Sequence, residues 1–163
     1  MTRISSLLAS YSRFMAVPWQ SALAPAKRVV MCVYNPEDEL RLRLQVGEFE
    51  IATRRTEHGW ISFDLTDTFA EWLSSQRYAK SYFQKPGLLS TLYPRYLDCL
   101  VERVDCYLKE NVPDEYAVVA LMGVGSLFGF LKVQELIERL APMVQGRLLV
   151  FFPEPMYTTT TGY

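Results

Sequence analysis

Three short apolar runs, separated by longer segments of helical periodicity, limit the folds open to this chain. The runs span residues 29–34, 116–122 and 147–152, and in residues 60–65 apolar and polar side chains alternate. Nearly unbroken apolar runs of this length are typical of strands that are buried on both faces of a parallel sheet. We therefore predict four strands in a mainly parallel β-sheet.

Helical patterns fill the sequence around the predicted strands. Apolar side chains recur at helical spacing over residues 4–16 and 92–108, and a shorter helical segment covers residues 67–73. We expect the glycine-rich turn 123–129 to lead into another helix that runs through Leu140. Strands that alternate with helices imply right-handed crossovers and a mainly parallel sheet that is covered by helices on both faces. The sequence predicts a single α/β domain of three layers, similar to a Rossmann fold.

Residues 36–56 give conflicting signals. Asn35 can cap a helix, and Pro36 suits the first helical position. Acid–arginine pairs four residues apart support the helix: Glu37 with Arg41, Glu39 with Arg43, and Glu50 with Arg54. Four apolar residues instead alternate as in a strand: Leu40, Leu42, Leu44 and Val46. We predict a helix, because its start signal is strong and the alternation ends at Gly47.

The composition excludes several classes of protein. The chain has 163 residues, of which 50% are hydrophobic, 17 are basic and 18 are acidic. This balance of charge excludes a whole-chain electrostatic attraction to nucleic acid, although a local basic patch stays possible. A chain of this size can bury a core without disulfides or a structural metal.

The cysteines and the apolar segments indicate the compartment. Cys32, Cys99 and Cys106 form no CxxC pattern, which favours reduced thiols, and with the single histidine His58 they argue against a zinc site. We expect no metal and no cofactor, although an oxygen-only metal site stays open. The N-terminal segment does not fit a signal peptide, and the most apolar stretch, residues 117–125, is far shorter than the ~20 residues of a membrane helix. We predict a cytoplasmic protein.

The turn after the third predicted strand is the first candidate binding site. Its candidate residues are Gly123, Gly125, Ser126 and Gly129. Glycines at a strand end let the backbone approach an anion or a nucleotide, and a helix N-terminus offers free amides to it. The spacing is GxGxxxG, however, and not the dinucleotide-binding GxGxxG. We favour the other interpretation, a tight turn that packs a helix against the sheet.

Residues 72–97 contain no acidic residue and form the second candidate surface. The candidate residues are Arg77, Tyr78, Lys80, Tyr82, Phe83 and Lys85. Basic and aromatic side chains together suit a protein interface, and they also suit single-stranded nucleic acid. We favour a protein contact, or a loop held by its tyrosines, over nucleic acid.

The sequence contains no convincing set of catalytic residues. Ser126 does not lie in a GxSxG sequence, and His58 follows a predicted helix end, where a structural role suffices. Asp64 and Asp67 lie at the end of the second predicted strand, where parallel-sheet proteins bind ligands, but Asp67 also fits a helix cap. We predict that the protein is not an enzyme.

Nine segments, in order along nearly the whole chain, carry a family resemblance. They are residues 11–14, 17–19, 33–39, 47–53, 58–60, 64–72, 81–83, 123–130 and 146–153. Among the more distinctive are Val-Tyr-Asn-Pro-Glu-Asp-Glu at 33–39 and Gly-Val-Gly-Ser-Leu-Phe-Gly-Phe at 123–130. In these segments the chain resembles the BrxB family, a small component of the BREX bacteriophage-defence systems.

This resemblance implies a set of partners but no catalytic residues. BrxB-like proteins accompany a DNA methyltransferase, a large ATPase and the alkaline-phosphatase-like protein PglZ. We therefore expect an adaptor that binds a larger BREX component such as PglZ; a degenerate nucleotide-binding domain and a nucleic-acid contact are the alternatives. Family members continue past the last predicted strand, so we expect a truncated C-terminus, with residues 154–163 as a flexible tail. The sequence leaves the oligomeric state open.

Overall fold

Four parallel strands form the sheet at the centre of the protein. The structure is a computed structural model that describes residues 3–20, 22–75, 93–127 and 132–154. The strands are β1 (Val29–Tyr34), β2 (Gly59–Asp64), β3 (Ala117–Met122) and β4 (Arg147–Pro153). They lie in the order β1-β4-β3-β2, and every neighbouring pair is parallel. The predicted α/β fold with a parallel sheet is confirmed, with the strand boundaries within one residue of those predicted.

The position of each strand in the sheet explains its apolar pattern. The central strands β3 and β4 each have five consecutive buried residues, because helices cover them on both sides. The edge strands β1 and β2 have fewer buried positions, and on β1 only Cys32 and Tyr34 are fully buried. Strand β1 pairs with β4 in a register that places Cys32 opposite Phe151.

Five helices lie in two layers, one on each face of the sheet, in the part of the chain that the structure describes. They are α1 (Arg3–Ala16), α2 (Glu39–Arg55), α3 (Thr68–Ser74), α4 (Tyr93–Asn111) and α5 (Val133–Leu140). Helices α1 and α2 share a buried cluster with one face of the sheet, and α3, α4 and α5 share a second cluster with the other face. None of these described helices combines the length and the apolarity needed to cross a membrane.

A turn and then a helix follow β3, as predicted. The predicted turn at 123–129 contains a short 3-10 helix, Val124–Leu127, and the helix predicted to follow it is α5, which begins at Val133 and ends at Leu140 as predicted. The amide of Ser126 bonds the carbonyl of Gly123 at 3.1 Å, the i→i+3 pattern of a 3-10 turn. Val124 and Leu127 are both fully buried, so core packing holds this turn in place.

Helix α2 settles the conflict in residues 36–56 in favour of a helix. Asn35 accepts a hydrogen bond from the amide of Glu37 at 2.9 Å, and a 3-10 turn at Pro36–Asp38 leads into α2. Two of the predicted acid–arginine pairs are present: Glu39 with Arg43 at 3.1 Å and Glu50 with Arg54 at 2.9 Å. Arg41 does not pair with Glu37 as predicted, because it lies 3.6 Å from the buried carboxylate of Asp38.

Candidate functional site

Helix α2 has apolar side chains on two opposite sides. Leu42, Phe49 and Thr53 are buried against α1 and the sheet, with Val46 partly buried beside them, and we call this row the inward stripe. Leu40, Leu44 and Ile51 form a second row, the outward stripe, and are 70%, 77% and 44% exposed. At about 100° per residue the two rows fall on opposite sides of the helix.

Gly47 and two rows of charged side chains complete this outer surface. Gly47 lies within the outward stripe, and no atom lies within 4 Å of the position that a Cβ would take there. Charged residues flank the stripe on both sides at helical spacing: Arg41, Glu48 and Arg55 on one side, and Arg43, Glu50 and Arg54 on the other. An apolar centre with a charged, arginine-containing rim is typical of protein-binding surfaces.

At the carboxyl end of the sheet, Arg43 joins the ends of two strands. Its guanidinium donates to Glu39 Oε1 at 3.1 Å, to Asp64 Oδ2 at 3.1 Å and to Thr66 Oγ1 at 2.7 Å. Glu39 also accepts a hydrogen bond from the Tyr34 hydroxyl. The network therefore ties β1, α2 and the loop after β2 together.

Burial and neighbouring residues of this network shift the pKa values of Asp64 and Tyr34. Burial alone would raise the pKa of Asp64, but hydrogen bonds from Thr66 and the charge of Arg43 outweigh it and hold that pKa below its usual range. Burial, and then the Glu39 carboxylate, raise the pKa of the Tyr34 hydroxyl. Parallel-sheet proteins commonly bind ligands at this end of the sheet. Here the cationic group already has two carboxylate partners.

The predicted glycine-rich turn packs against this network. Gly123 has φ +74°, and a Cβ on it would overlap Asp64 and Thr66. The hydroxyl of Ser126 lies 2.7 Å from the carbonyl oxygen of Gly123 and 3.2 Å from that of Leu65, so it joins the turn to the loop after β2. A side chain at residue 123 therefore has neither the space nor a relaxed backbone.

The rest of the turn is also in contact with its neighbours. A Cβ on Gly125 would lie 3.1 Å from Pro153 Cγ, and Gly129 lies outside the described residues. Packing accounts for both described glycines, and the Asp64 carboxylate beside Gly123 opposes an anion there. The nucleotide or anion hypothesis for this turn stays a prediction.

His58 has a structural position at the opposite end of the sheet. Its Nδ1 donates to the carbonyl of Tyr116 at 2.8 Å, and its ring stacks on Trp19 with the ring centroids 3.7 Å apart. Asp67 occupies the N-cap position of α3 in a left-handed conformation, and its side chain makes no capping hydrogen bond. The predicted helix cap therefore holds for its position only.

The predicted partner-binding residues lie outside the described part of the chain. These are Arg77, Tyr78, Lys80, Tyr82, Phe83 and Lys85. Three aromatic residues at the ends of the same acid-free stretch are described: Trp72 is 9% and Tyr96 is 1% exposed, and both belong to the core, whereas Tyr93 is partly buried. The Tyr96 hydroxyl bonds Thr68 Oγ1 at 2.5 Å.

Sequence reasoning missed the outward stripe and the Arg43 network. The alternation of Leu40, Leu42, Leu44 and Val46 was the available signal for the stripe, since leucines on both sides of a helix alternate in sequence as they do in a strand. Asp64 was singled out by its place at a strand end. Its partner Arg43 was expected only to pair with Glu39, because the contact to Asp64 depends on the fold.

Comparison with models of protein families, with curated proteins and with solved structures finds no match to this chain. The resemblance to the BrxB family therefore stays a prediction from the residues that carry it.

Proposed function

We propose that this protein is a non-enzymatic, cytoplasmic adaptor of a BREX defence system that binds a larger component, PglZ, through the outward stripe of α2. The observation that carries the proposal is the exposure of Leu40 and Leu44 on a helix whose opposite side is already packed. The predicted family supplies the partner, and the surface supplies the mode of binding. The methyltransferase and the large ATPase of the same system are further candidate partners.

The energetic argument rests on the exposed leucines. Burial of a leucine side chain contributes roughly 1.5–3 kcal/mol, so Leu40 and Leu44 together offer a substantial part of the binding energy of a complex. Single exposed apolar residues are common on protein surfaces, but a row at helical spacing makes one continuous strip. Ile51 and the open position at Gly47 extend that strip along the helix.

Helix-in-groove binding fits this geometry. An apolar row at positions i, i+4 and i+11 matches the anchors of a helix that lies in an apolar groove of its partner. Gly47 lets the partner's backbone approach closely, since no side chain stands there. The flanking rows contain both signs of charge and would set the orientation of the partner more than its affinity.

Size-exclusion chromatography with light scattering tests the proposal directly. We expect the wild-type protein to co-elute with PglZ from the same defence system, and the double variant Leu40→Gln/Leu44→Gln to elute separately from it. The matched control is Val17→Gln/Val112→Gln, which changes two exposed valines that are not part of α2, 62% and 75% exposed. This control should co-elute like the wild type.

A second pair of substitutions separates the two candidate surfaces. The variant Arg77→Glu/Lys80→Glu reverses charges in the other predicted partner surface, and we expect it to keep the complex. Loss of the complex in this variant alone would move the interface away from α2. Separate elution of wild-type protein and PglZ would contradict the adaptor function itself.

A further inference from the structure

A cavity at the amino end of the sheet contains two arginines and lies at the opposite end from the Arg43 network. Its volume is about 350 Å³. It is lined by the loop before β1, the turn before β3 and the start of β4, with Trp19, Arg28, Tyr116 and Arg147 among the lining residues. This volume suits a small ligand.

Arg147 is the most deeply buried of these polar side chains. It is only 6% exposed, and it donates to the carbonyl oxygens of Gln20 at 3.1 Å and Gly146 at 3.3 Å. Among the residues that the structure describes, no carboxylate lies within ion-pair distance of it. Buried charges in proteins are normally paired, whereas Arg147 has no counter-charge in the described part of the chain.

Arg28 places a second positive charge at the same cavity. Its Nε is buried without a hydrogen-bond partner, and within the described ranges Arg28 forms no ion pair either. Burial lowers the pKa of Arg147, and the charge of Arg28 lowers it further. An anion between the two side chains would remove this repulsion and would satisfy the donor of Arg28.

Trp19 also lines the cavity and has an unpartnered neutral donor. The Trp19 ring stacks on the ring of His58, and the guanidinium carbon of Arg147 lies 4.6 Å from the centroid of the Trp19 ring. Its Nε1 is buried and has no acceptor among the described residues. A buried indole N–H usually has a hydrogen-bond partner, so this donor also calls for an acceptor atom.

We propose that this cavity binds a small oxyanion, a phosphate or carboxylate group of a small molecule, held by Arg28, Arg147 and the indole N–H of Trp19. Two guanidinium groups and one neutral donor offer several hydrogen bonds to oxygens that only accept them. The site is separate from the outward stripe of α2, so it can be tested independently of the proposed adaptor function.

Glu115 is the internal competitor for this site. It lines the cavity, but its carboxylate makes no ion pair with Arg28 or Arg147 in the structure. Since its negative charge would repel a bound anion, Glu115→Gln should strengthen oxyanion binding. Weaker binding in Glu115→Gln would contradict the proposed arrangement.

Isothermal titration calorimetry with inorganic phosphate and with malonate, at constant ionic strength set by chloride, tests the proposal. The informative variant is Arg28→Gln, because Arg28 is partly exposed and its side chain forms no hydrogen bond or ion pair among the described residues, whereas Arg147 also donates to two backbone carbonyls. Lys27→Gln is the matched control, since it removes one positive charge at the neighbouring position, outside the cavity lining.

We expect the wild type to bind at least one of the two anions with Kd of about 1 mM or tighter. Arg28→Gln should weaken that binding by about tenfold or more, because a charge-assisted hydrogen bond is lost, and Lys27→Gln should change it less than about twofold. Preference between phosphate and malonate then identifies the kind of oxyanion. No binding of either anion, or an equal loss in both variants, would overturn the proposal.

Discussion

On the inner side of α2, Phe49 and Thr53 are completely buried, whereas on the outer side Leu40 and Leu44 are 70% and 77% exposed. The inward stripe packs against α1 and β4: the ring centroid of Phe49 lies 5.0 Å from that of Phe151 on β4 and 5.3 Å from that of Tyr11 on α1. The outer leucines have the same apolar chemistry but contribute little to that core. The difference separates residues that hold the fold from residues that are free to bind a partner.

The largest expected effect on the free energy of unfolding comes from the inward stripe. Phe49→Ala should lower the free energy of unfolding by about 3–5 kcal/mol, because it removes buried ring contacts and leaves a cavity. Leu44→Ala, on the same helix, should change it by less than about 0.5 kcal/mol. Urea denaturation of both variants measures the contrast, and similar losses in the two would contradict the division of α2 into two sides.

A smaller effect on the free energy of unfolding is expected at Thr53, the polar residue of the inward stripe. Thr53 Oγ1 bonds the hydroxyl of Tyr11 at 2.5 Å and the carbonyl of Phe49 at 2.8 Å. Thr53→Val should cost about 1–3 kcal/mol of unfolding free energy, because the buried Tyr11 hydroxyl loses its partner. Thr53→Ser keeps the hydroxyl and is the control. A smaller loss in the valine variant than in the serine variant would show that packing, and not the hydrogen bond, dominates.

At Gly47, in the outward stripe, a substitution should raise the free energy of unfolding instead of lowering it. Its Cβ position is open, so Gly47→Ala should raise the free energy of unfolding by about 0.5–1 kcal/mol through lower backbone entropy in the unfolded chain. The neighbouring exposed Glu48→Ala should have almost no effect. Thermal unfolding of the two variants checks this, and destabilisation by Gly47→Ala would mean that the outer side of α2 is already packed.

Arg43, at the border between the two sides, should give a small and pH-dependent effect. Its partner Asp64 has a lowered pKa in the folded state, so the pair stabilises the protein above pH 3.8 and the contribution is lost as the pH falls through the folded-state pKa. Arg43→Gln should therefore cost about 0.2–1 kcal/mol near neutral pH and almost nothing in acid, given the partial exposure of both side chains.

The control for this pH series is Arg55→Gln, which removes an arginine that has no ion pair among the described residues. Its unfolding free energy should follow the wild type at each pH. A loss in Arg43→Gln that stays constant or grows in acid would contradict the assigned role of Asp64.

Much of the fold followed from local patterns in the sequence. Central strands such as β3 are buried on both faces, so their apolar runs were visible without knowledge of the tertiary structure. The glycine-rich spacing predicted a turn after β3, but it does not reveal that Val124 and Leu127 fold into the core as a 3-10 turn.

The candidate sites were harder to predict, because they depend on contacts between distant segments. Trp19, Arg28 and Arg147 line one cavity only because β1 and β4 are parallel neighbours in the sheet. The sequence of neither strand indicates which strand it pairs with. The outward stripe was present in the sequence as alternating leucines. That pattern identifies no interface until the structure shows which leucines are buried.

The most direct test of the account is the affinity of PglZ for the protein with its outer leucines replaced. Calorimetric titration should show binding that is weaker by about tenfold or more for Leu40→Gln/Leu44→Gln than for the wild type, with an unchanged unfolding free energy. Val17→Gln/Val112→Gln should bind like the wild type. Unchanged affinity in the α2 variant would contradict the claim that the outward stripe is the partner-binding surface.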